Sequence, residues 1–236
     1  MIALAGYWSY ALAALLYALL AVWQVSRPAG GMRRRTLMIA FALTALWAAV
    51  SLTSAPGMPA ASVTEALRNL AWLGFMFALV ERGRGKTRRS SIIALYAAVA
   101  IVVAVQMAFD ITLSQWPVSA GAAEALFYVL MLLRITVTIG ALVLVHNLYT
   151  AAAPEARWGI RLPMIALSVM WAYDLNLYTV AYLTHAWPLE LYIVRGFVTL
   201  LLVPLFALAS RRNRRWRMRI SRTVTFQTLS LMAIGC

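Results

Sequence analysis

Apolar residues in this chain come in runs of about 20, and the runs lack the alternation of apolar and polar positions that a barrel strand shows. A run of that length spans the ~30 Å hydrocarbon core of a bilayer at ~1.5 Å rise per residue. Without water, a helix is the form that satisfies its own backbone. The pattern predicts seven membrane-spanning helices, at roughly 4–25, 37–55, 63–81, 91–113, 122–146, 162–184 and 189–209. Turn chemistry separates them at Pro28-Ala29-Gly30-Gly31, Pro56-Gly57-Met58-Pro59, Trp116-Pro117, Ala153-Pro154 and Trp187-Pro188. The expected fold is all-α, a polytopic transmembrane helix bundle. From Thr223 an eighth apolar stretch opens and runs 14 residues to Cys236, too few to cross. It reads as an eighth helix cut short, or alternatively as a tail lying on the membrane. The expected division is a seven-helix membrane domain over 1–222 and the start of a further span over 223–236.

Composition agrees with this picture. Apolar residues make up 64% of the 236 and charged residues 12%, with mean hydropathy +0.81, which excludes an ordinary water-soluble domain. The net charge of +14 would raise the question of nucleic acid in a soluble protein. Here the location of the charges argues against it. Eighteen of the 21 Lys and Arg residues fall in four segments between apolar runs: Arg27 and Arg33 to Arg35; Arg82 to Arg89; Arg157 and Arg161; and Arg211 to Arg222. Each segment follows an odd-numbered span, and the loops after spans two, four and six carry no Lys or Arg. Short basic loops stay in the cytoplasm, so the amino terminus is expected outside, in the periplasm of a bacterial inner membrane. Trp8, Trp116 and Trp187 at outer edges and Trp23, Trp158 and Trp216 at inner ones fit interfacial anchors.

Three cations remain inside the runs, and an ionisable group at mid-span costs about 2.5–3.5 kcal/mol on insertion scales, so each needs a partner or a cavity. Arg134 is central in span five and Asp174 close to the centre of span six. These two are expected to face each other as a buried pair between antiparallel neighbours. Trp171, Asp174, Tyr178 and Tyr182, spaced by three or four, share one face of span six. A second set lies in the outer half: Glu65 and Arg68, Gln106 and Asp110, Glu124, and Glu190 with Arg195. Glu190 and Arg195 are about 140° apart round a helix, so Arg195 is expected to point at Glu124 or Asp110. This outer set reads either as a polar pocket that detects something or as interhelical hydrogen bonds fixing register, worth ~0.6 kcal/mol each.

Catalytic motifs are missing. His146 and His185 lie at opposite faces, too few for a histidine metal site. The sole lysine, Lys86, is in a loop, which excludes a retinal Schiff base within the bundle. There is no Gly-x-Ser-x-Gly and no phosphate loop. Arg211, Arg212, Arg214, Arg215 and Trp216 are expected to meet anionic headgroups as an orientation signal, or to form an interfacial helix coupling spans seven and eight.

The second half also carries Val145-His146-Asn147-Leu148-Tyr149, Glu155-Ala156-Arg157-Trp158-Gly159-Ile160, Ala172-Tyr173-Asp174-Leu175, Arg195-Gly196-Phe197-Val198, Val203-Pro204-Leu205-Phe206-Ala207-Leu208-Ala209, Arg212-Asn213 and Ser221-Arg222. Over about 145–236 these resemble the membrane domain of PrsK-type sensor histidine kinases, which accompany the exosortase and PEP-CTERM sorting system of exopolysaccharide-producing bacteria. The first 144 residues are similar mainly in layout. The resemblance implies further spans, a cytoplasmic GAF-like domain and a dimerising kinase that uses ATP and Mg, with a response regulator as partner. It carries no catalytic residue into this chain, which lacks the phosphoacceptor helix and the nucleotide boxes. The expected function is a membrane sensory domain of a two-component kinase, with a small transporter or permease-like bundle as the alternative.

Overall fold

A computed structural model describes residues 2–26, 31–80, 86–115, 119–152 and 154–212. They form seven helices: α1 (Ile2–Val25), α2 (Gly31–Ser51), α3 (Pro59–Val80), α4 (Lys86–Gln115), α5 (Ala120–Ala151), α6 (Pro154–Thr184) and α7 (Leu189–Arg212). The described residues contain no strand. The stretch 213–236, with Arg214, Arg215, Trp216 and the expected eighth helix, lies outside them.

Local chemistry sets the ends. α2 gives way to a turn in which Gly57 takes φ +81°, a left-handed conformation that a side chain would strain. Pro59 and Pro154 each open a helix at the position where the missing N–H costs nothing. The Ser119 hydroxyl accepts from the Ala122 N–H and caps α5. α6 stops before His185, which sits at φ 58°.

Several helices outrun the apolar runs. α5 extends to Ala151 rather than 146, α6 begins at Pro154 rather than 162, and α4 begins at Lys86 rather than 91. Hydropathy marks only the part suited to lipid, whereas backbone hydrogen bonding continues through polar residues until a turn interrupts it.

Consecutive helices pack against one another, and α7 returns to pack on α1, so the bundle closes into a ring. α3 is drawn inward and also touches α5. The closing seam is tight: a methyl on Gly6 would lie 2.7 Å from Ile193 Cγ2, and one on Gly196 would lie 2.3 Å from Ser9 Oγ. Small residues here let two backbones approach as they do in membrane bundles.

The polarity of the bundle is inverted relative to a soluble protein. α1 turns Leu4, Trp8, Leu12, Leu15, Leu19 and Val22 outward at helical spacing while burying Ser9, Tyr10, Tyr17 and Gln24. Large outward apolar stripes of this kind mark a lipid-facing surface. Six helices, all except α6, are long and apolar enough to cross a membrane. α6 is long enough at 31 residues, but Asp174, Asn176 and Pro163 dilute its hydropathy. The carboxyl ends of α1, α3 and α5 and the amino ends of α2, α4 and α6 lie at one end of the ring, here the basic end, and the carboxyl ends of α2, α4 and α6 and the amino ends of α3, α5 and α7 at the other, the neutral end.

Candidate functional site

Five helices send ionisable side chains into the ring: Glu65 and Arg68 from α3, Asp110 from α4, Arg134 from α5, Asp174 from α6 and Arg195 from α7. All six are buried, none more than 7% exposed. The expected Arg134–Asp174 pair does not form. Arg134 instead donates to Asp110 at 3.0 Å, to Glu65 at 3.4 Å and to the Ser62 hydroxyl at 2.9 Å. Asp174 accepts on its two oxygens from Arg68 Nη2 and Arg195 Nε, each at 2.7 Å. Adjacency of α5 and α6 was not enough to pair them. A carboxylate aimed at the ring centre from α6 meets the Arg68 side chain reaching in from α3, and Arg195 on α7, its other neighbour.

Arg195 likewise points at neither Glu124 nor Asp110. Its guanidinium forks onto Glu65, with Nη2 to Oε1 at 2.7 Å and Nη1 to Oε2 at 3.1 Å, while its Nε holds Asp174. Followed from contact to contact, the charges form one file of alternating sign: Arg68, Asp174, Arg195, Glu65, Arg134, Asp110. The mid-depth pair joins Glu65, Arg68, Asp110 and Arg195 of the outer set in a single electroneutral network with three acids and three bases, whereas Glu124 and Glu190 are exposed outside it. Charge-assisted, forked contacts of this kind are the stronger hydrogen bonds. In a low-dielectric interior their completeness decides whether the charges are tolerable at all.

Neutral groups extend the network. Tyr178 donates its hydroxyl proton to Glu65 and accepts from Arg195 Nη2 at 2.9 Å. Asn69 Oδ1 accepts from Arg68 and from Trp171 Nε1, both at 3.3 Å. The Trp47 ring lies 4.1 Å from the Arg68 guanidinium carbon and 4.7 Å from that of Arg195, so one indole faces two cations. Arg134 sits 5.6 Å from the rings of both Tyr178 and Trp187. Toward the basic end an aromatic layer closes the site. There Trp72 stacks on Phe206 at 4.6 Å, with Phe41 edge-on to both.

Of the residues singled out from sequence, Trp171 and Tyr178 join the network. Tyr182 instead packs edge-on against Tyr128, and Glu124 is exposed on α5, apart from it. Trp187 is half-buried over Arg134 and against Gly57 rather than an outer anchor, whereas Trp8 and Trp158 are exposed at their ends. Arg211 is exposed at the end of α7. Ser62, Asn69 and Trp47 were missed. Ser62, Glu65 and Asn69 form a polar stripe spaced by three and four on α3, which signals a shared face. Trp47, near the middle of the apolar run 37–55 and so away from its expected ends, was the signal on α2. Among the described residues no three His, Cys, Asp or Glu side chains come together in a way that could hold a metal.

No family model matches the chain, and neither the curated proteins nor the solved structures contain a match to it.

Proposed function

We propose that this chain is the membrane sensory domain of a bacterial two-component histidine kinase of the PrsK type, in the inner membrane with its amino terminus periplasmic. In this reading α6 completes a seven-span bundle, and the alternating charge file is the element that takes two arrangements. One observation supports it most directly: Arg195, which holds both Glu65 and Asp174, is on α7, the helix that leads toward the carboxyl side. A shift in which acid Arg195 holds more tightly would move α7 relative to α3 and α6. A signal acts only if it binds the two arrangements with different affinity. The catalytic region, its ATP and Mg, the dimer partner and the response regulator belong downstream by resemblance.

The test uses the full-length protein. Asp174→Asn, Arg134→Gln and Arg195→Gln should change basal or signal-dependent autophosphorylation. Unchanged activity in all three would refute the switch. Sequencing beyond codon 236 tests the family: a GAF-like and ATP-binding region supports the kinase. A stop codon after another span or two supports the second reading, a small transporter. That reading draws only on Pro163 and Pro204, which lie inside the helices carrying Asp174 and Arg195 without breaking them, whereas alternating access usually shows broken helices in matching positions.

A further inference from the structure

Away from the charge file, a cleft of about 330 Å³ opens between α5 and α6 toward the basic end of the bundle. Two stripes build it, positions 142, 145, 146 and 149 on α5 and 161, 164, 165 and 168 on α6, each with the spacing of a single helix face. Its chemistry is graded along the helices. His146, Tyr149 and Arg161 lie nearer the α5–α6 connection, whereas Leu142, Val169 and the lone hydroxyl of Ser168 lie deeper toward mid-span. No carboxylate is among the lining residues. His146 and Arg161 are exposed, and so are Ile165 and Val169 on the outward side of α6, so the cleft is open to the surroundings of the bundle rather than to its interior.

The neighbouring cation is committed elsewhere. Arg157 turns back on the α5–α6 connection and donates to the carbonyls of Ala152 and Thr150, each at 2.9 Å. Arg161 instead lies over the exposed Trp158 ring, 5.8 Å from its centroid, at the mouth of the cleft. An indole beside an arginine at a helix end is the arrangement expected at the level of lipid headgroups. A basic pocket between transmembrane helices on the cytoplasmic side, with an apolar wall below it, matches an anionic headgroup with an acyl chain beneath.

From this we infer that the α5–α6 cleft is a binding site for one anionic phospholipid, its phosphate held by Arg161 and His146 and its acyl chain laid along Leu142, Ile165 and Val169. The occupant comes from the bilayer, because a free phosphate would use the mouth and leave the apolar wall uncovered. α5 and α6 also carry Arg134 and Asp174 into the charge file, so an occupied cleft would bear on the helix pair that the network joins to α3.

Native mass spectrometry of the detergent-purified chain tests this, with phosphatidylglycerol, phosphatidylcholine or inorganic phosphate added. The expected result is one phosphatidylglycerol retained per chain, at least fivefold more tightly than phosphatidylcholine, with no retention of inorganic phosphate. Arg161→Gln should weaken phosphatidylglycerol retention about fivefold, the equivalent of the ~1 kcal/mol that a basic residue contributes at an anionic surface. Arg35→Gln, which removes an exposed arginine outside the cleft, should leave it unchanged. Ile165→Trp fills the apolar wall and keeps Arg161 and His146, and should weaken retention comparably. Equal retention of the two lipids overturns the proposal, and so does an equal effect of Arg161→Gln and Arg35→Gln. Retention of inorganic phosphate as tight as that of phosphatidylglycerol, or full retention by Ile165→Trp, overturns the lipid as occupant.

Discussion

Replacing Arg195 with methionine cuts the charge file at its centre. Arg68 and Asp174 remain paired at 2.7 Å, but Glu65 and Asp110 are left to share Arg134, so one buried negative charge has no counterpart. Breaking a buried ion pair by removing one partner costs about 3–5 kcal/mol. For a chain of this size ~1 kcal/mol shifts a melting midpoint by about 2–4 °C, so Arg195→Met should lower it by roughly 6–20 °C. The double variant Arg195→Met with Glu65→Gln should be more stable than Arg195→Met alone. It leaves two complete pairs, Arg68–Asp174 and Arg134–Asp110, and restores neutrality. The assay is thermal unfolding in detergent, followed by size-exclusion recovery after heating, on wild type, both single variants and the double variant. A double-variant loss equal to or greater than the sum of the singles would refute the claim that electroneutrality governs the site.

Other perturbations separate packing from charge. Gly196→Leu, whose first carbon would meet Ser9 Oγ at 2.3 Å, should cost about 1–3 kcal/mol by overpacking. Gly121→Leu, in open space, should leave the same recovery assay unchanged. Trp47→Leu removes the ring shared by Arg68 and Arg195 and should lower stability by about 2 kcal/mol or more in unfolding measurements. Tyr178→Phe, which leaves Glu65 and Arg195 one hydrogen bond short, should cost about 1–3 kcal/mol in the same measurement. An impermeant maleimide should label Thr53→Cys from the periplasm, and Arg35→Cys only after permeabilisation; the opposite order would reverse the proposed orientation.

The seven helices were legible because burial in lipid demands long apolar runs, and the turn residues between them are unambiguous. Helix ends were less so: α5 and α6 continue through Asn147, Tyr149, Arg157 and Arg161, where hydropathy falls but hydrogen bonding persists. The site was legible as a set of residues and not as a set of contacts. Glu65, Arg68, Asp110, Arg134, Asp174 and Arg195 stand out because charge in an apolar run is costly. Which acid meets which base depends on the direction in which each helix presents its face and on how far each side chain reaches across the ring. Neither quantity is carried by span order. Trp187 shows the same limit, since its position at a helix end fits an interfacial anchor, yet it turns inward against Gly57.

The one-by-one distribution of the charges bears on how the molecule is made. α4, α5, α6 and α7 each bring a single buried charge, and its partners arrive on other helices, in three cases ones far along the chain. A nascent helix released alone into lipid would carry that charge uncompensated, at about 2.5–3.5 kcal/mol. Independent insertion followed by later association is therefore unfavourable for the last four helices, and they should leave the translocon as a group. A ribosome stalled before Arg195 is synthesised would leave Glu65 and Asp174 each without one partner, the state that membrane quality control should recognise and degrade.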